Sequence, residues 1–555
     1  MSGQKRDDRH RDVIIIGSGF GGAMAAWPLV RAGLDVLMLE RGPWVERGPH
    51  NWAPEGTVNR TPYYVEGPRF TAETLKGVKE SSSVSCVGGP SVFYGGVSFR
   101  FREGDFDPGP EIVGDSGAAW PFAYETLRPF YHEAERILHV AGRAGEDPTE
   151  PSRTGGYPAP VNGITPVAAE IAGAAEKLGL HPFRLPLAIN FRGNHDRATC
   201  LQCATCDTFA CAIGAKNDLS VSVIPLLRQR GMELRTRTAA VRLLLEGGRA
   251  AGVEVVDART GAREVLTADT IILAAGAVAS PALLLSSGAA ELNPAGDAVG
   301  RYLTRHCSGI VFGAYTWVPR YEGLFHKQIG INDFYFGDPR GGQPAGKLGN
   351  IQQTQTPAVG TVAGETGPLA GLLLGPLVRR VTGLLVIAED RPRYENRVAL
   401  DEERLNGLGF PRARVRHIYD ERDLEARALL AARAREIHRA AGAKAFYFHK
   451  IDTFSHALGT VRMGMDHEKD PLDPDGRFRG LENVYVTDGS ALPTSGGVNP
   501  SLTIAANALR VGASLAGRAR KGDAARREAG AWKGGAAGTR GGKRSADGMG
   551  SGDGR

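Results

Sequence analysis

The sequence predicts an α/β protein in two lobes. One is a dinucleotide-binding lobe on a parallel sheet, to which the chain returns several times. The other is an α+β lobe with an antiparallel sheet, inserted between those returns. Three observations predict this. A β-branched run, Asp12-Val13-Ile14-Ile15-Ile16, leads straight into Gly17-Ser18-Gly19-Phe20-Gly21-Gly22. A second apolar run, Val36–Leu39, follows after about one helix's worth of chain. Beyond Gly300 the pattern changes to separate β-rich segments.

An uninterrupted β-branched run is what a strand buried on both faces of a parallel sheet needs. The stretch from Ala23 to Ala32 is compatible with a helix closed by Gly33, and Val36–Leu39 ends in Glu40. Together these form a β-α-β unit of the size a parallel pair requires. Further strands are expected at Met232–Arg235, Ala240–Leu245, Val253–Val256 and Thr270–Leu273, and a short last one at Val484–Thr487. The segments Ile310–Trp317, Lys327–Phe336 and Leu384–Ala388 read as the antiparallel sheet. An amphipathic helix is expected over Glu421–Ala441, with Gly442 as its C-cap.

A lone GxGxxG means little in a chain with 75 glycines. Here Gly17, Gly19 and Gly22 follow a strand and open a helix, which is the context of a Rossmann-type unit. Gly17 permits the tight turn, Gly19 lets backbone approach a pyrophosphate, and Gly22 lets helix and strand pack closely. The helix N-terminus offers unpaired N–H groups to phosphate. Glu40, eighteen positions past Gly22, is placed to accept hydrogen bonds from ribose hydroxyls and to repel a 2′-phosphate. The motif alone does not separate NAD from FAD.

Four further segments resemble the glucose–methanol–choline oxidoreductases, in that family's order. Gly88-Gly89-Pro90-Ser91-Val92-Phe93-Tyr94-Gly95-Gly96, with Glu103–Asp107 after it, is similar to the first glycine-rich signature, although Tyr94 stands where the family usually has Asn or His. Trp120-Pro121-Phe122 resembles the segment that follows in many bacterial members. Gly276–Leu284, ending in Ser287-Gly288, is similar to the second signature. His456-Ala457-Leu458-Gly459-Thr460 and the run Asn483–Thr503 resemble the C-terminal catalytic region.

The resemblance implies FAD, with Gly17, Gly19, Gly22 and Glu40 at its AMP half. It places Gly89, Ser91 and Tyr94 near the pyrophosphate and flavin, and the Val241 backbone near the adenine. Asp488, Gly489, Asn499 and Pro500 fall near the ribityl chain and isoalloxazine. The FAD is expected to be held without a covalent link, since no histidine lies between Ser81 and Arg102. The implied FAD-binding lobe comprises 1–110, 200–300 and 470–517. The substrate-binding lobe comprises 111–199 and 301–469.

The implied activity is oxidation of a CH–OH group, of an alcohol or a sugar, by hydride transfer to flavin N5. Such a carbon needs a base within reach of its hydroxyl proton. By resemblance that base is His456, with Asn499, 43 positions later, holding the substrate oxygen and stabilising alkoxide charge. His306, after Gly300-Arg301-Tyr302-Leu303, and His449 are read as structural. An NAD-linked or disulfide-reductase-like flavoenzyme would want a second GxGxxG, which is not found. An FAD-binding protein without redox chemistry would sit better with a lost His456 or Asn499. The electron acceptor, whether oxygen, a quinone or a redox protein, stays open, as does the substrate. The apolar residues Leu372–Leu374 lean towards a hydrophobic alcohol, and the cysteine pattern leans towards sugars.

Four of the six cysteines, Cys200, Cys203, Cys206 and Cys211, crowd into twelve residues as C-x2-C-x2-C-x4-C. That spacing approaches iron–sulfur loops without matching the ferredoxin pattern. A bound iron–sulfur cluster or metal, which would favour a dehydrogenase, is set against a loop stabilised by buried thiols.

The net charge of +6 is carried by the tail: from Arg518 to Arg555 there are ten Lys/Arg against four Asp/Glu. Residues 518–555 are therefore expected to be a disordered basic tail, with no specific nucleic-acid partner. No apolar run is long enough for a transmembrane helix. No secretory signal is recognised at the start, so a cytoplasmic location is the expectation.

Overall fold

The computed structural model describes residues 10–58, 61–65, 69–192, 197–316, 325, 327–341, 346–356, 367, 369 and 375–535. The apolar segment 370–374 lies outside them, as do 193–196 within the stretch that precedes the cysteines.

The first sheet has seven strands. Its parallel part runs Glu233–Arg235, Val36–Leu39, His10–Ile16, Arg263–Leu273, with Val484–Val486 on the last strand's other side. Register is set by the apolar runs: Val13 lies opposite Val36, and Ile16 lies between Leu39 and Leu273. Arg263–Leu273 is long enough to pair a second time, antiparallel to Arg249–Asp257, which pairs with Thr238–Glu246. The helix Phe20–Arg31 crosses back over the sheet and packs against the C-terminal helix Ser501–Gly535.

The second sheet has six strands in the order Ala445–Lys450, Cys307–Ala314, Val381–Ala388, Gly349–Thr354, Ile329–Ile331, Phe183–Arg184, all antiparallel. The expected strand Lys327–Phe336 shrinks to Ile329–Ile331, because the chain turns at Asp333–Phe336. The helix Glu421–Ala440 covers one face, burying Ala426, Leu430, Ala434 and Ile437 against Val311, Leu384 and Val386. Its start is fixed by Asp420, which accepts from the Asp423 N–H, and its end by Gly442 at φ +94°.

Two findings depart from the expected organisation. A third sheet joins Arg69–Thr74 and Gly77–Ser82 to Pro411–Arg416 and Arg397–Leu405, with Thr71 opposite Arg414. It draws two strands from the stretch assigned to the FAD lobe and two from the stretch assigned to the substrate lobe. The exposed, charged faces of Gly77–Ser82 and Arg397–Leu405 carry no apolar signal of that pairing. The tail, in turn, is helical as far as Gly535 rather than disordered from 518. Its Ala, Arg, Lys and Glu are good helix formers, and they extend a helix already nucleated by its buried first half. No helix among the described residues is long and apolar enough to cross a membrane.

Candidate active site

A cavity of about 800 Å³ opens at the carboxyl ends of the parallel strands, lined there by Ile16, Leu39 and Ala274. That is where open α/β sheets bind ligands. One end is the turn Gly17–Gly19. Gly17 takes φ +106°, and a Cβ there would lie 2.3 Å from the Ala274 carbonyl. Gly22 is absent from the cavity wall; a Cβ on it would meet the Gly17 carbonyl at 1.9 Å, so its part is close packing. Gly19 is the N-cap of Phe20–Arg31, with no side-chain cap and open space where its Cβ would stand.

Glu40 is buried, and burial raises its carboxyl above the ordinary range against the hydrogen bonds it receives. It accepts from Ser18 Oγ (2.5 Å), the Ser18 N–H (3.2 Å) and the Gly42 N–H (2.8 Å). Ser18 Oγ also accepts from the Gly88 N–H at 2.9 Å, tying the first glycine turn to the second glycine-rich segment. Gly89, at φ +55°, brings that segment against Gly19, where its Cβ would come within 3.3 Å of the Gly19 Cα. At Val241 the pairing of Thr238–Glu246 slips, leaving this residue opposite no partner in a bulge that faces the cavity.

These features test whether the chain fits FAD, and it does. Space above Gly19 and uncapped helix N–H groups suit a pyrophosphate. The cavity-lining carboxyl of Glu40 suits ribose hydroxyls, and the bulge at Val241 leaves backbone groups for an adenine edge. Ser91 and Asp488 line the cavity too, but their side chains are used internally. Ser91 Oγ donates to the Gly88 carbonyl and accepts from the Leu219 N–H. Asp488 accepts from the Gly276 N–H, Ser280 Oγ, the Ser490 N–H and Ser490 Oγ. Tyr94, Gly489 and Pro500 lie on the same wall.

At the other end the cavity meets the six-stranded sheet, where Ile310, Leu385, Ile387 and His449 line it alongside His456 and Asn499. His449 is therefore on the wall rather than purely structural. His456 Nδ1 lies 2.9 Å from His306 Nδ1, the two rings nearly perpendicular at 88°. His306 Nε2 faces the carbonyls of Ser495 (3.0 Å) and Gly496 (2.8 Å), which only accept. That nitrogen therefore carries a hydrogen, and in the neutral ring Nδ1 is an acceptor. His456 must donate from Nδ1, and its Nε2 is then an acceptor to which no described residue donates. Burial, followed by the repulsion a second proton on the His306–His456 pair would meet and by the Lys327 ammonium, pulls His456 down to about 3, which keeps the imidazole neutral near neutral pH.

The turn that aims His306 is held by one carboxylate. Asp390 accepts from the Arg305 N–H (2.8 Å), the His306 N–H (2.9 Å), Ser495 Oγ (3.0 Å) and His417 Nε2 (3.1 Å). His306 itself sits at φ +62°, a conformation that persists only where its surroundings enforce it.

Asn499 is oriented by a chain of amides. Asp147, paired with Arg102, accepts from Asn332 Nδ2 at 2.8 Å. Asn332 Oδ1 then accepts from Asn350 Nδ2 (2.6 Å), and Asn350 Oδ1 from Gln352 Nε2 (2.8 Å). Gln352 Nε2 gives its second hydrogen to Asn499 Oδ1 (2.9 Å). A carboxylate can only accept, so it fixes the direction of every amide in the chain. The Asn499 oxygen is taken, and its NH2 is presented to the cavity.

Among the described residues, no group of three or more His, Cys, Asp or Glu side chains is placed to hold a metal ion. All four cysteines of the cysteine-rich loop are free thiols, and burial pushes Cys200 up to about 11 and Cys206 up to about 12. The loop is tied instead by Lys216, whose ammonium donates to the carbonyls of Tyr94 (2.6 Å), Cys206 (2.9 Å) and Phe209 (2.8 Å).

A nucleotide turn at one end of a cavity and an imidazole with an acceptor nitrogen at the other define a dinucleotide-dependent oxidoreductase. The chain belongs to the GMC oxidoreductases, an FAD-dependent family. The family's profiles match residues 81–308 and 392–508, and an NAD(P)-binding Rossmann-like profile matches 15–53. It is 34% identical over 530 residues to 6'''-hydroxyparomomycin C oxidase of Streptomyces lividus, covering 92% of each chain. It is 30% identical over 536 residues to 2-methyl-1,2-propanediol dehydrogenase of Mycolicibacterium austroafricanum, covering 90% of this chain and 94% of that one. Its fold is similar to a crystal structure of pyridoxine 4-oxidase from Mesorbium loti, with a TM-score of 0.65 and 20% identity over 90% of this chain and 98% of that one.

Proposed function

We propose that this protein oxidises a CH–OH group of an alcohol or sugar to the carbonyl, with non-covalent FAD as the hydride acceptor and His456 as the base. The observation that carries this is the tautomer lock: His306 commits His456 Nδ1 to donating and so leaves Nε2 as an acceptor on the cavity wall. The names of the two relatives, an oxidase and a dehydrogenase of hydroxylated compounds, support the reaction class.

FAD, when bound, supplies the two-electron acceptor; orientation and proton handling belong to the protein. Gly17, Gly19, Glu40, Gly89 and Val241 would hold its nucleotide half. His456 Nε2 accepts the hydroxyl proton, and the Asn499 NH2 donates to the oxygen as alkoxide charge develops. A neutral base in a dry site takes a proton reluctantly. Passing the Nδ1 hydrogen to His306 Nδ1 shares the charge with a ring whose Nε2–H is already held by two carbonyls. The test is anaerobic: an alcohol or sugar from a broad panel should bleach the colour of the bound flavin. An enzyme holding FAD that no alcohol reduces, but that NADH does, contradicts the reading.

A further inference from the structure

Asp207 and Lys327 lie on the cavity wall beside this reacting end, and the reaction as described uses neither. Asp207 is carried by the cysteine loop that Lys216 anchors. Gln355 Oε1 accepts from the Cys206 and Asp207 N–H groups (3.2 Å each), and Gln355 Nε2 donates to the Asp207 carbonyl (3.0 Å). Lys327 Nζ pairs with Asp207 Oδ2. The lysine side chain is 4% exposed and the aspartate 25%, and both line the cavity. Both sit over Gly95, where a Cβ would meet Lys327 Nζ at 2.7 Å and Asp207 Oδ1 at 3.2 Å. Both are near enough to act on the charge of His456.

Holding two charges out of water is expensive, and an ion pair repays it only when its remaining hydrogen-bonding positions are filled. Here they are open. Asp207 Oδ1 accepts no hydrogen bond from the described residues, and Asp207 is the one hydrogen-bond partner among them for an ammonium with three hydrogens. Burial opposes ionisation of Asp207, but Lys327 outweighs it and holds the carboxyl below its ordinary range. The cavity end thus presents a negative acceptor and a positive donor side by side, with an apolar wall of Ile310, Leu385 and Ile387 in the same space. The pair is neutral as a whole, so it gives a substrate ammonium or carboxylate one attraction and one repulsion and no net gain for its desolvation. A hydroxyl both accepts and donates, and so satisfies both.

We propose that Asp207 and Lys327 form a specificity subsite for the neighbouring hydroxyls of the substrate, which is therefore a neutral polyhydroxylated alcohol and not a simple alkanol. The inference rests on the reading of His456 and Asn499 as the reacting end. The cysteine-rich loop then serves to position Asp207. A site that hydrogen-bonds a substrate hydroxyl rejects the analogue lacking it far more strongly than an apolar pocket rejects a missing methylene.

The test compares neutral sugars and polyols with 1-alkanols of matched length, as rates of anaerobic reduction of the FAD-loaded full chain. Wild type should prefer the polyols, and Asp207→Asn and Lys327→Met should each cut the polyol-to-alkanol ratio by about a hundredfold. Lys327→Arg, which keeps the charge, should retain most of that ratio and guards against a variant that merely misfolds. Alkanols reducing wild type as fast as polyols, or a ratio unchanged in the variants, would overturn the proposal. A second readout is equilibrium perturbation of the bound flavin's spectrum by polyols lacking a reactive hydroxyl. If no alcohol reduces the flavin, the reaction assigned to His456 fails, and this binding measurement alone decides the subsite: polyol binding lost in Asp207→Asn upholds it, and no polyol binding to wild type refutes it.

Discussion

His306 Nδ1 and His456 Nδ1 stand 2.9 Å apart, and only one of the two nitrogens can carry the hydrogen between them. The carbonyls of Ser495 and Gly496 decide which, because they already claim the Nε2 hydrogen of His306. Backbone distant in the chain therefore selects the tautomer of His456.

His306→Ala removes that selection and the second resting place for the proton. Flavin reduction by a good substrate should fall by roughly ten- to a hundredfold with FAD retained, the scale of general-base effects. The pH profile should change as well. In wild type the buried imidazole is neutral well above its lowered pKa of about 3, so the rate should be flat across neutral pH. Without His306 a smaller influence that lowers it is gone while burial, the largest, remains, so the acid limb of the profile should move to higher pH yet stay below the ordinary histidine range. Stopped-flow reduction across pH reads both effects; an unchanged rate and an unmoved acid limb in the variant contradict the lock.

Gln352→Glu puts a carboxylate where Asn499 Oδ1 now finds a donor, so the Asn499 amide should turn its NH2 away from the cavity. The limiting rate of reduction should drop by roughly ten- to a hundredfold with little change in substrate affinity. Introduced into Asn499→Ala, the same change should have almost no further effect, since it acts through that amide. Additive losses in the double variant would mean that Gln352 serves the fold instead.

Glu40→Ala deletes the acceptor for the Ser18 and Gly42 N–H groups and for Ser18 Oγ. The purified variant should carry well under half of the wild-type FAD content, measured by absorbance after acid release, while remaining folded by circular dichroism. Full FAD content would remove Glu40 from the nucleotide site.

Acid should loosen the protein through its buried histidines. Burial lowers His438 to about 4, while in the unfolded chain it titrates near 6.5. Between those values the unfolded state binds the extra proton, so the stability this histidine contributes is fully present above about pH 6.5 and is lost as pH falls towards 4. His438 Nε2 donates to the Val311 carbonyl at 2.9 Å, and Nδ1 meets Tyr315 Oη at 2.9 Å. His438→Gln should melt lower than wild type at neutral pH, yet lose less Tm between about pH 7 and 5. Parallel Tm curves for the two proteins would contradict this.

The nucleotide end was legible in the sequence because its determinants are local. A β-branched run, spaced glycines and a carboxylate at the next strand's end are constrained by one turn of chain, and Gly17, Gly19 and Glu40 all stand on the cavity wall. Gly22 was legible for its packing, though it stays off that wall. His456 and Asn499, which the fold brings to the other end of the cavity, stood out only through resemblance. What sets them, His306 and the series from Asp147 through Asn332 and Asn350 to Gln352, comes from loops and a strand far apart in the chain, and a lone Asn or Gln carries no periodic signal. Asp390 and the third sheet were hidden for the same reason. The cysteines drew attention to their own spacing, whereas the residue their loop delivers to the cavity is Asp207.

The most direct test of the central claim is anaerobic stopped-flow reduction of the bound flavin in wild type and His456→Ala, with the best alcohol or sugar from the panel. The account predicts a rate lower by roughly a hundredfold or more in the variant at equal FAD content. Equal rates in the two proteins would contradict it.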